Sequence, residues 1–171
     1  MALSNTELPT LDGQALESVL TQISSRLLAR REMLATAESC TGGLISAACT
    51  ALAGSSLWFE RGFVTYSNAA KTELLGVPAP LIETHGAVSE PVARAMAEGA
   101  IARSHAQASV SVTGVAGPGG ASPGKPVGTV WFGWCVAGQT HSEARHFAGD
   151  RAQVRAATVQ HALTRLLALL A

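Results

Sequence analysis

Hydrophobic and polar residues form alternating blocks along the chain that predict helices and strands in turn. Apolar residues at helical spacing predict a first helix over about residues 14–31, after a loose N-terminal arm over residues 1–13. A short apolar run predicts a buried strand at residues 33–37, and Thr41 is the predicted N-cap of the helix after it. A second strand is predicted at residues 63–67.

The second half of the chain continues this order. A serine, an acid and a proline at residues 89–91 predict the start of another helix. A strand predicted at residues 108–113 is followed by a long loop at residues 114–126. Two hairpin-like strands and a last helix are predicted after this loop, at residues 127–137, at residues 142–147 and from Asp150 onward.

These elements predict an α/β fold. Strands in mixed connections, with helices between them, favour a three-layer α/β/α sandwich around a mixed, mostly parallel sheet. Residues 14–171 are expected to form one domain of this kind. An apolar stripe along the last helix predicts burial, either in the core or at a subunit interface. We expect a homo-oligomer.

Composition restricts the possible partners and the compartment. The 171 residues are 47% hydrophobic, and 12 basic residues balance 12 acidic ones, so no net field attracts nucleic acid or anionic lipid. The three cysteines are odd in number and lack paired spacing, which fits reduced thiols in a cytoplasmic protein. No signal peptide and no membrane-spanning run is recognisable, so a membrane is not expected as a partner. Because the charges balance, nucleic acid is not expected as a partner either.

The segment GSSLWFERGFVTYSNAAK carries the first candidate chemistry. It contains a serine pair, the single tyrosine of the chain, Tyr66, and one of its two lysines, Lys71. A hydroxyl, a phenol and an amine can serve as nucleophile, proton relay and base of an acyl-transfer site that needs no metal and no cofactor. The alternative is that Ser56 caps a turn while Tyr66 packs and Lys71 is solvated. Histidine spacings in the chain do not support a zinc site.

The glycine-rich loop TGVAGPGGASPGKPVGT could bind an anion. It matches seven positions of a phosphate-binding Walker A motif, but the eighth is Pro126 and a strand is predicted to follow, so an NTPase is excluded. Backbone N–H groups and Lys125 could still hold a phosphate, although an exposed loop without ligand is equally compatible with the composition. The candidate substrate contacts in this region are Thr113, Gly114, Gly117, Gly120 and Lys125.

The segment ESCTGG lies where a predicted strand gives way to a helix, a position at which α/β proteins bind ligands. Its candidate substrate contacts are Glu38, Ser39, Thr41, Gly42 and Gly43. A capped helix entry with a buried cysteine is the structural alternative. Cys40 is a second candidate nucleophile, but no local signature ties a histidine to it.

Six blocks of the sequence together resemble the C-terminal domain of the CinA family. They are AESCTGG, GSSLWFERGFVTYSNAAK, LGV, HGAVSE, TGVAGPGG and KPVGTVWF, in this order, and the resemblance extends from about residue 15 to the end. It implies deamidation of nicotinamide mononucleotide to nicotinate mononucleotide and ammonia, in pyridine-nucleotide salvage. Two-domain CinA proteins carry a further N-terminal domain for which this chain is too short, so no second activity is implied.

The resemblance also implies a catalytic set of a serine, a tyrosine ten residues later and a lysine five beyond it. These spacings select Ser56, Tyr66 and Lys71. A lysine with an ordinary pKa of ~10.4 is almost fully protonated at neutral pH, so Lys71 must be desolvated or lie near another cation such as Arg61. Arg61 is also a candidate substrate contact. Backbone N–H groups near Ser56 or after Thr113 are candidates for stabilising the oxyanion. A non-catalytic nucleotide-binding or partner-binding module of the same fold is the alternative function.

Overall fold

The computed structural model of the chain describes residues 13–171, which form six α-helices and five β-strands. The predicted N-terminal arm lies outside these residues except for Gly13, which begins the first helix. The helices are α1 Gly13–Arg30, α2 Leu44–Ala51, α3 Asn68–Leu75, α4 Ala79–His85, α5 Glu90–Ala102 and α6 Arg151–Leu169. The strands are β1 Leu34–Glu38, β2 Phe59–Val64, β3 Ala108–Gly114, β4 Thr129–Val136 and β5 Gln139–His146.

The strands form one mixed sheet in the order β2-β1-β3-β4-β5. β2 and β3 both pair with β1 in parallel, whereas β3–β4 and β4–β5 are antiparallel pairs. The predicted hairpin is thus confirmed as β4–β5. Because β1, β2 and β3 run in the same direction, their carboxyl ends meet at one edge of the sheet, with Glu38 opposite Val64 on one side and Val112 on the other.

Helices cover both faces of the sheet, which confirms the predicted three-layer sandwich. Buried side chains of α1, α2 and α6 pack with β1, β3 and β4 on one face. Buried side chains of α3, α4 and α5 pack with Ala35 and Ala37 of β1 on the other. Among residues 13–171, no helix is both long and apolar enough to cross a membrane.

The last helix begins where the sequence predicted. The Asp150 side chain accepts a hydrogen bond from the Gln153 backbone N–H, and the Gln153 side chain accepts one from the Asp150 N–H, which completes a capping box. Val159, Leu163 and Leu166 of its apolar stripe are fully buried. The stripe therefore belongs to the core of the protomer, and the homo-oligomer stays a prediction.

Two local predictions are wrong. Helix α2 begins at Leu44, after Gly43, because the Thr41 hydroxyl donates its hydrogen bond to Glu38 and caps no helix. The second strand occupies Phe59–Val64 instead of residues 63–67, and α3 begins shortly after it with Ser67 as its N-cap.

Candidate active site

A cavity of about 230 Å³ lies at the carboxyl edge of the parallel strands. Its wall combines residues at or after the carboxyl ends of β1, β2 and β3 with the segment after α4 and the first residue of α6. The lining residues are Ser39, Cys40, Tyr66, Asn68, Lys71, Ala87, Val88, Thr113, Gly114, Ala116 and Arg151. Two larger clefts, of about 370 and 440 Å³, have no basic side chain in their walls.

Ser39 and Lys71 form the closest pair of functional groups in this cavity. The Lys71 Nζ lies 3.0 Å from the Ser39 Oγ and also donates to the backbone carbonyl of Thr65, at 3.0 Å. A third, longer contact of 3.4 Å joins it to the carbonyl of Tyr66. Three acceptors therefore hold the amine beside the serine hydroxyl.

Burial shifts the protonation equilibrium of Lys71 towards the neutral amine. The residue is only 1% exposed, and this burial lowers the pKa of the amine below its ordinary value. The neighbouring Cys40 acts in the opposite direction as the smaller cause, and no carboxylate lies among the described residues of the lining. A neutral amine in contact with a serine hydroxyl can accept its proton, so the pair can form a nucleophile and its base.

Cys40 lies beside Ser39 but is unsuited to nucleophilic attack. Burial raises the pKa of its thiol to about 12, so the reactive thiolate is scarcely populated near neutral pH. The alternative of a cysteine nucleophile is therefore disfavoured.

Tyr66 and Arg151 form the outer part of the cavity. Tyr66 is 62% exposed, and its hydroxyl accepts a hydrogen bond of 3.1 Å from the Arg151 guanidinium. Arg151 also donates to the carbonyl of Gly117, at 2.9 Å. Sequence reasoning missed Arg151. The available signal was the predicted cap at Asp150, which places the next residue in the first turn of a helix.

The structure does not bring Ser56 to Tyr66 and Lys71 within the protomer. Ser56 lies in a short 3₁₀ turn, Ser55–Leu57, before β2, whereas Tyr66 follows the same strand. Six residues in extended conformation span roughly 20 Å, so the strand separates the two side chains. The prediction of Ser56 as the partner of Tyr66 and Lys71 is wrong for the protomer. Its place beside Lys71 is taken by Ser39, which follows the neighbouring parallel strand.

Glu38 and Thr41 are part of the turn itself instead of contacting the cavity. Both are fully buried, and the Glu38 carboxylate accepts hydrogen bonds from the Thr41 hydroxyl and from the first turn of α2. Gly42 and Gly43 have left-handed φ values of 59° and 102°, which favour glycine. Glu38, Thr41, Gly42 and Gly43 were predicted as substrate contacts, but none of them lines the cavity. Among residues 38–43, only Ser39 and Cys40 belong to its wall.

Arg61 is not the cation near Lys71. Its guanidinium forms a bidentate pair with Glu60, at 2.6 and 2.7 Å, and donates to the carbonyl of Arg103. Since Arg61 pairs with Ala35, near the start of β1, it lies away from the carboxyl edge. Of the two alternatives for lowering the Lys71 pKa, burial therefore applies and a neighbouring Arg61 does not. As a candidate substrate contact, Arg61 lies outside the lining of the cavity.

The glycine-rich loop contributes its first residues to the cavity. Thr113 and Gly114 line it, and the Thr113 hydroxyl donates to the carbonyl of Ala87, at 2.8 Å. Gly117 contributes through its carbonyl bond to Arg151, whereas Gly120 is exposed outside the lining.

Lys125 also lies outside the lining. Its Nζ donates to the carbonyl of His85, at 2.9 Å, just before the segment that supplies Ala87 and Val88 to the wall. This contact attaches the glycine-rich loop to the end of α4. Within residues 13–171, no group of three or more His, Cys, Asp or Glu side chains could hold a metal ion.

Comparison with known proteins shows which family the chain belongs to. The sequence profile of the CinA C-terminal domain matches residues 16–170. The nicotinamide-nucleotide amidohydrolase PncC of Pseudomonas putida is 52% identical over 152 residues, which cover 89% of this chain and 95% of that protein. A CinA-like protein of Akkermansia muciniphila is 54% identical over 134 residues, which cover 78% of this chain but 32% of that longer protein.

A solved structure shows the same fold. The competence/damage inducible protein CihA of Agrobacterium tumefaciens superposes with a TM-score of 0.85 at 43% identity, and the match covers 99% of both chains. The profile match, the identities and the shared fold lead to one conclusion: the chain belongs to the CinA C-terminal domain family.

Proposed function

We propose that this protein is an amidohydrolase that converts nicotinamide mononucleotide to nicotinate mononucleotide and ammonia, with Ser39 as nucleophile and Lys71 as base. The observation that carries the proposal is the 3.0 Å contact between the Ser39 hydroxyl and the buried Lys71 amine. The name of the Pseudomonas putida relative supports a nicotinamide nucleotide as the substrate class. Pyridine-nucleotide salvage is the process that this reaction would serve.

In the first half of the reaction, Ser39 Oγ attacks the carboxamide carbon while neutral Lys71 accepts the hydroxyl proton. The tetrahedral intermediate then collapses as the resulting ammonium returns this proton to the leaving nitrogen. Ammonia departs and an ester joins the nicotinoyl group to Ser39. The phenol of Tyr66 lines the same cavity and can relay this proton.

In the second half, a water molecule attacks the ester carbon and Lys71 accepts a proton from it. Collapse of the second intermediate releases the carboxylic acid and restores the hydroxyl of Ser39, which takes the proton back from Lys71. The acid then loses its proton to solvent to give the carboxylate product. The same amine therefore acts as base and acid in both halves, and the sequence of steps requires no metal ion.

The negative charge that develops on the carbonyl oxygen needs hydrogen-bond donors already in place. The backbone N–H groups of Cys40 and Ala116 belong to residues of the cavity wall and donate to no backbone carbonyl in the described chain. We assign them as the oxyanion donors. Because Cys40 follows Ser39 directly, the backbone N–H of Cys40 lies next to the nucleophilic residue.

The charge of the wall favours a phosphate-bearing substrate. With Lys71 acting in its neutral form, the positive charge of the wall comes from Arg151, and no acidic residue lies among the described residues of the lining. Arg151 uses two donors, for Gly117 and Tyr66, and a guanidinium has five, so further donors are available for a phosphate. We therefore assign the 5′-phosphate to Arg151 instead of Lys125.

Ammonia release from the mononucleotide, the riboside and the dinucleotide tests the proposal, with Ser39→Ala and Ser56→Ala proteins in parallel. We expect release from the mononucleotide that Ser39→Ala abolishes and Ser56→Ala leaves nearly unchanged. If no substrate releases ammonia while calorimetry detects mononucleotide binding, the chain is a binding module. Activity that survives Ser39→Ala would contradict the serine mechanism.

A further inference from the structure

Glu38 is a carboxylate buried without a cation beside it. It is the last residue of β1, its side chain is 0% exposed, and none of the ion pairs within residues 13–171 includes it. An isolated buried charge is strongly unfavourable unless hydrogen bonds replace its hydration. The proposed reaction assigns this residue no role.

Five hydrogen bonds replace the hydration of this carboxylate. Three come from the backbone N–H groups of Gly43, Ile45 and Ser46 around the start of α2, at 3.1, 2.9 and 2.8 Å. Two come from the hydroxyls of Thr41 and Ser46, at 2.6 and 2.9 Å. These N–H groups form the positive end of the helix, which commonly binds an external anion. Here the chain supplies the anion itself.

The same hydrogen bonds hold the turn that carries Ser39. Adjacent residues of an extended strand point to opposite sides, so Glu38 faces α2 while Ser39 faces Lys71. The Ser39 N–H donates to the carbonyl of Val112, and the Ser39 carbonyl accepts from Gly42. Glu38 therefore ties the turn to α2 from one side while the hydroxyl meets its base on the other.

We propose that ionised Glu38 is a positioning residue of the reaction: as a built-in anion at the start of α2 it fixes the turn over residues 39–43 and holds the Ser39 hydroxyl at Lys71. This inference rests on the proposed function. Since Glu38 occupies the helix end, a substrate phosphate must bind elsewhere, in agreement with its assignment to Arg151.

Glu38→Gln tests the proposal without changing the size of the side chain. The amide nitrogen of the introduced glutamine is a hydrogen-bond donor and would face the N–H and O–H donors that now bind the carboxylate. Donors cannot bond to each other, so the turn must shift. A misplacement of ~1 Å can reduce a rate about 100-fold, and we expect kcat to fall at least about tenfold. KM should change less than about threefold, because the groups assigned to substrate binding are untouched.

Glu143→Gln is the matched control, since Glu143 pairs with Arg145 and Arg165 on β5 and α6 and does not line the cavity. It removes an acid of the same type, and kcat should stay at the wild-type value. An unchanged kcat in Glu38→Gln, or an equal loss in both variants, would overturn the positioning role.

A second pair of variants keeps the test valid if Glu38→Gln fails to fold. Thr41→Val removes one hydroxyl bond to the carboxylate at nearly constant volume, and Thr41→Ser retains it. We expect a lower kcat at unchanged KM in Thr41→Val and recovery of most of this loss in Thr41→Ser. Equal kcat values in the two variants would contradict the proposal.

Amide hydrogen exchange adds a readout that does not depend on activity. In Glu38→Gln, or in Thr41→Val if that variant alone folds, the N–H groups of Gly43, Ile45 and Ser46 should exchange faster, while those of β4 keep their wild-type protection. Unchanged exchange at these three groups would overturn the anchoring role. If the wild-type protein releases no ammonia, the proposed function fails, and this measurement still decides whether Glu38 anchors the turn.

Discussion

Replacement of Arg151 by alanine gives the sharpest test of how the substrate is bound. The phosphate lies several bonds from the scissile amide and its charge does not change during the reaction. Contacts to it therefore stabilise the ground state and the transition state equally, and their loss raises KM with little effect on kcat. In the structure, Arg151 is the first residue of α6, at the outer side of the cavity.

The size of the effect follows from the position of the guanidinium. A hydrogen bond to a charged group contributes about 1.5–3 kcal/mol. Because Arg151 is exposed, water and salt weaken the interaction, and the lower value applies. A factor of ten in affinity corresponds to about 1.4 kcal/mol, so Arg151→Ala should raise KM for the mononucleotide about tenfold.

The assay is steady-state ammonia release from nicotinamide mononucleotide and from the riboside that lacks the phosphate. The KM penalty of Arg151→Ala should largely disappear for the riboside. Tyr66→Phe removes the contact between the Tyr66 hydroxyl and Arg151, and its effect on KM measures what that contact contributes to binding, whereas loss of the proton relay would lower kcat. Lys125→Ala is the control, since Lys125 carries a similar charge but contacts the His85 carbonyl outside the cavity wall.

Three results would refute this reasoning. Equal KM penalties for the mononucleotide and the riboside would show that Arg151 does not contact the phosphate. A phosphate-specific penalty in Lys125→Ala and none in Arg151→Ala would return the phosphate to the glycine-rich loop. A fall in kcat alone would place Arg151 in the chemical step.

Three further predictions concern the chemistry and the packing. Ser39→Ala should lower kcat by several orders of magnitude in stopped ammonia assays, whereas Ser56→Ala should stay near wild type; the reverse result would restore Ser56 as nucleophile. The rate should rise with pH as neutral Lys71 becomes populated, and this rise should occur at lower pH than for an ordinary lysine because burial lowers the pKa of Lys71. Lys71→Arg should be inactive, because a guanidinium does not deprotonate in proteins. A flat pH–rate profile or an active arginine variant would exclude Lys71 as the base. Gly99→Ala should lower the free energy of unfolding by about 1–3 kcal/mol in urea titrations, because its Cβ would overlap the Leu75 carbonyl; an unchanged midpoint would show that α3 and α5 can move apart.

Much of the fold could be predicted from the sequence because its strongest signals are local. The cap at Asp150 and the apolar stripe that follows it predicted α6, and an apolar run predicted β1. Helices α3 and α4 have only eight and seven residues, too few for the helical period alone to identify them. Helix α2 is equally short and was predicted from the strand and turn before it. The start of α2 was misplaced because the Thr41 hydroxyl bonds to Glu38, a choice that depends on burial.

The sequence by itself determined which groups are available to the site: a buried strand ending in ESCTGG, a single tyrosine, and a lysine five residues after it. Only the tertiary structure decided which serine meets that lysine. Ser56 is near Tyr66 in sequence, but the intervening chain is extended, and extended chain advances ~3.3 Å per residue. Ser39 is distant in sequence, but parallel pairing sets Glu38 beside Val64, so the residues after β1 and β2 become neighbours.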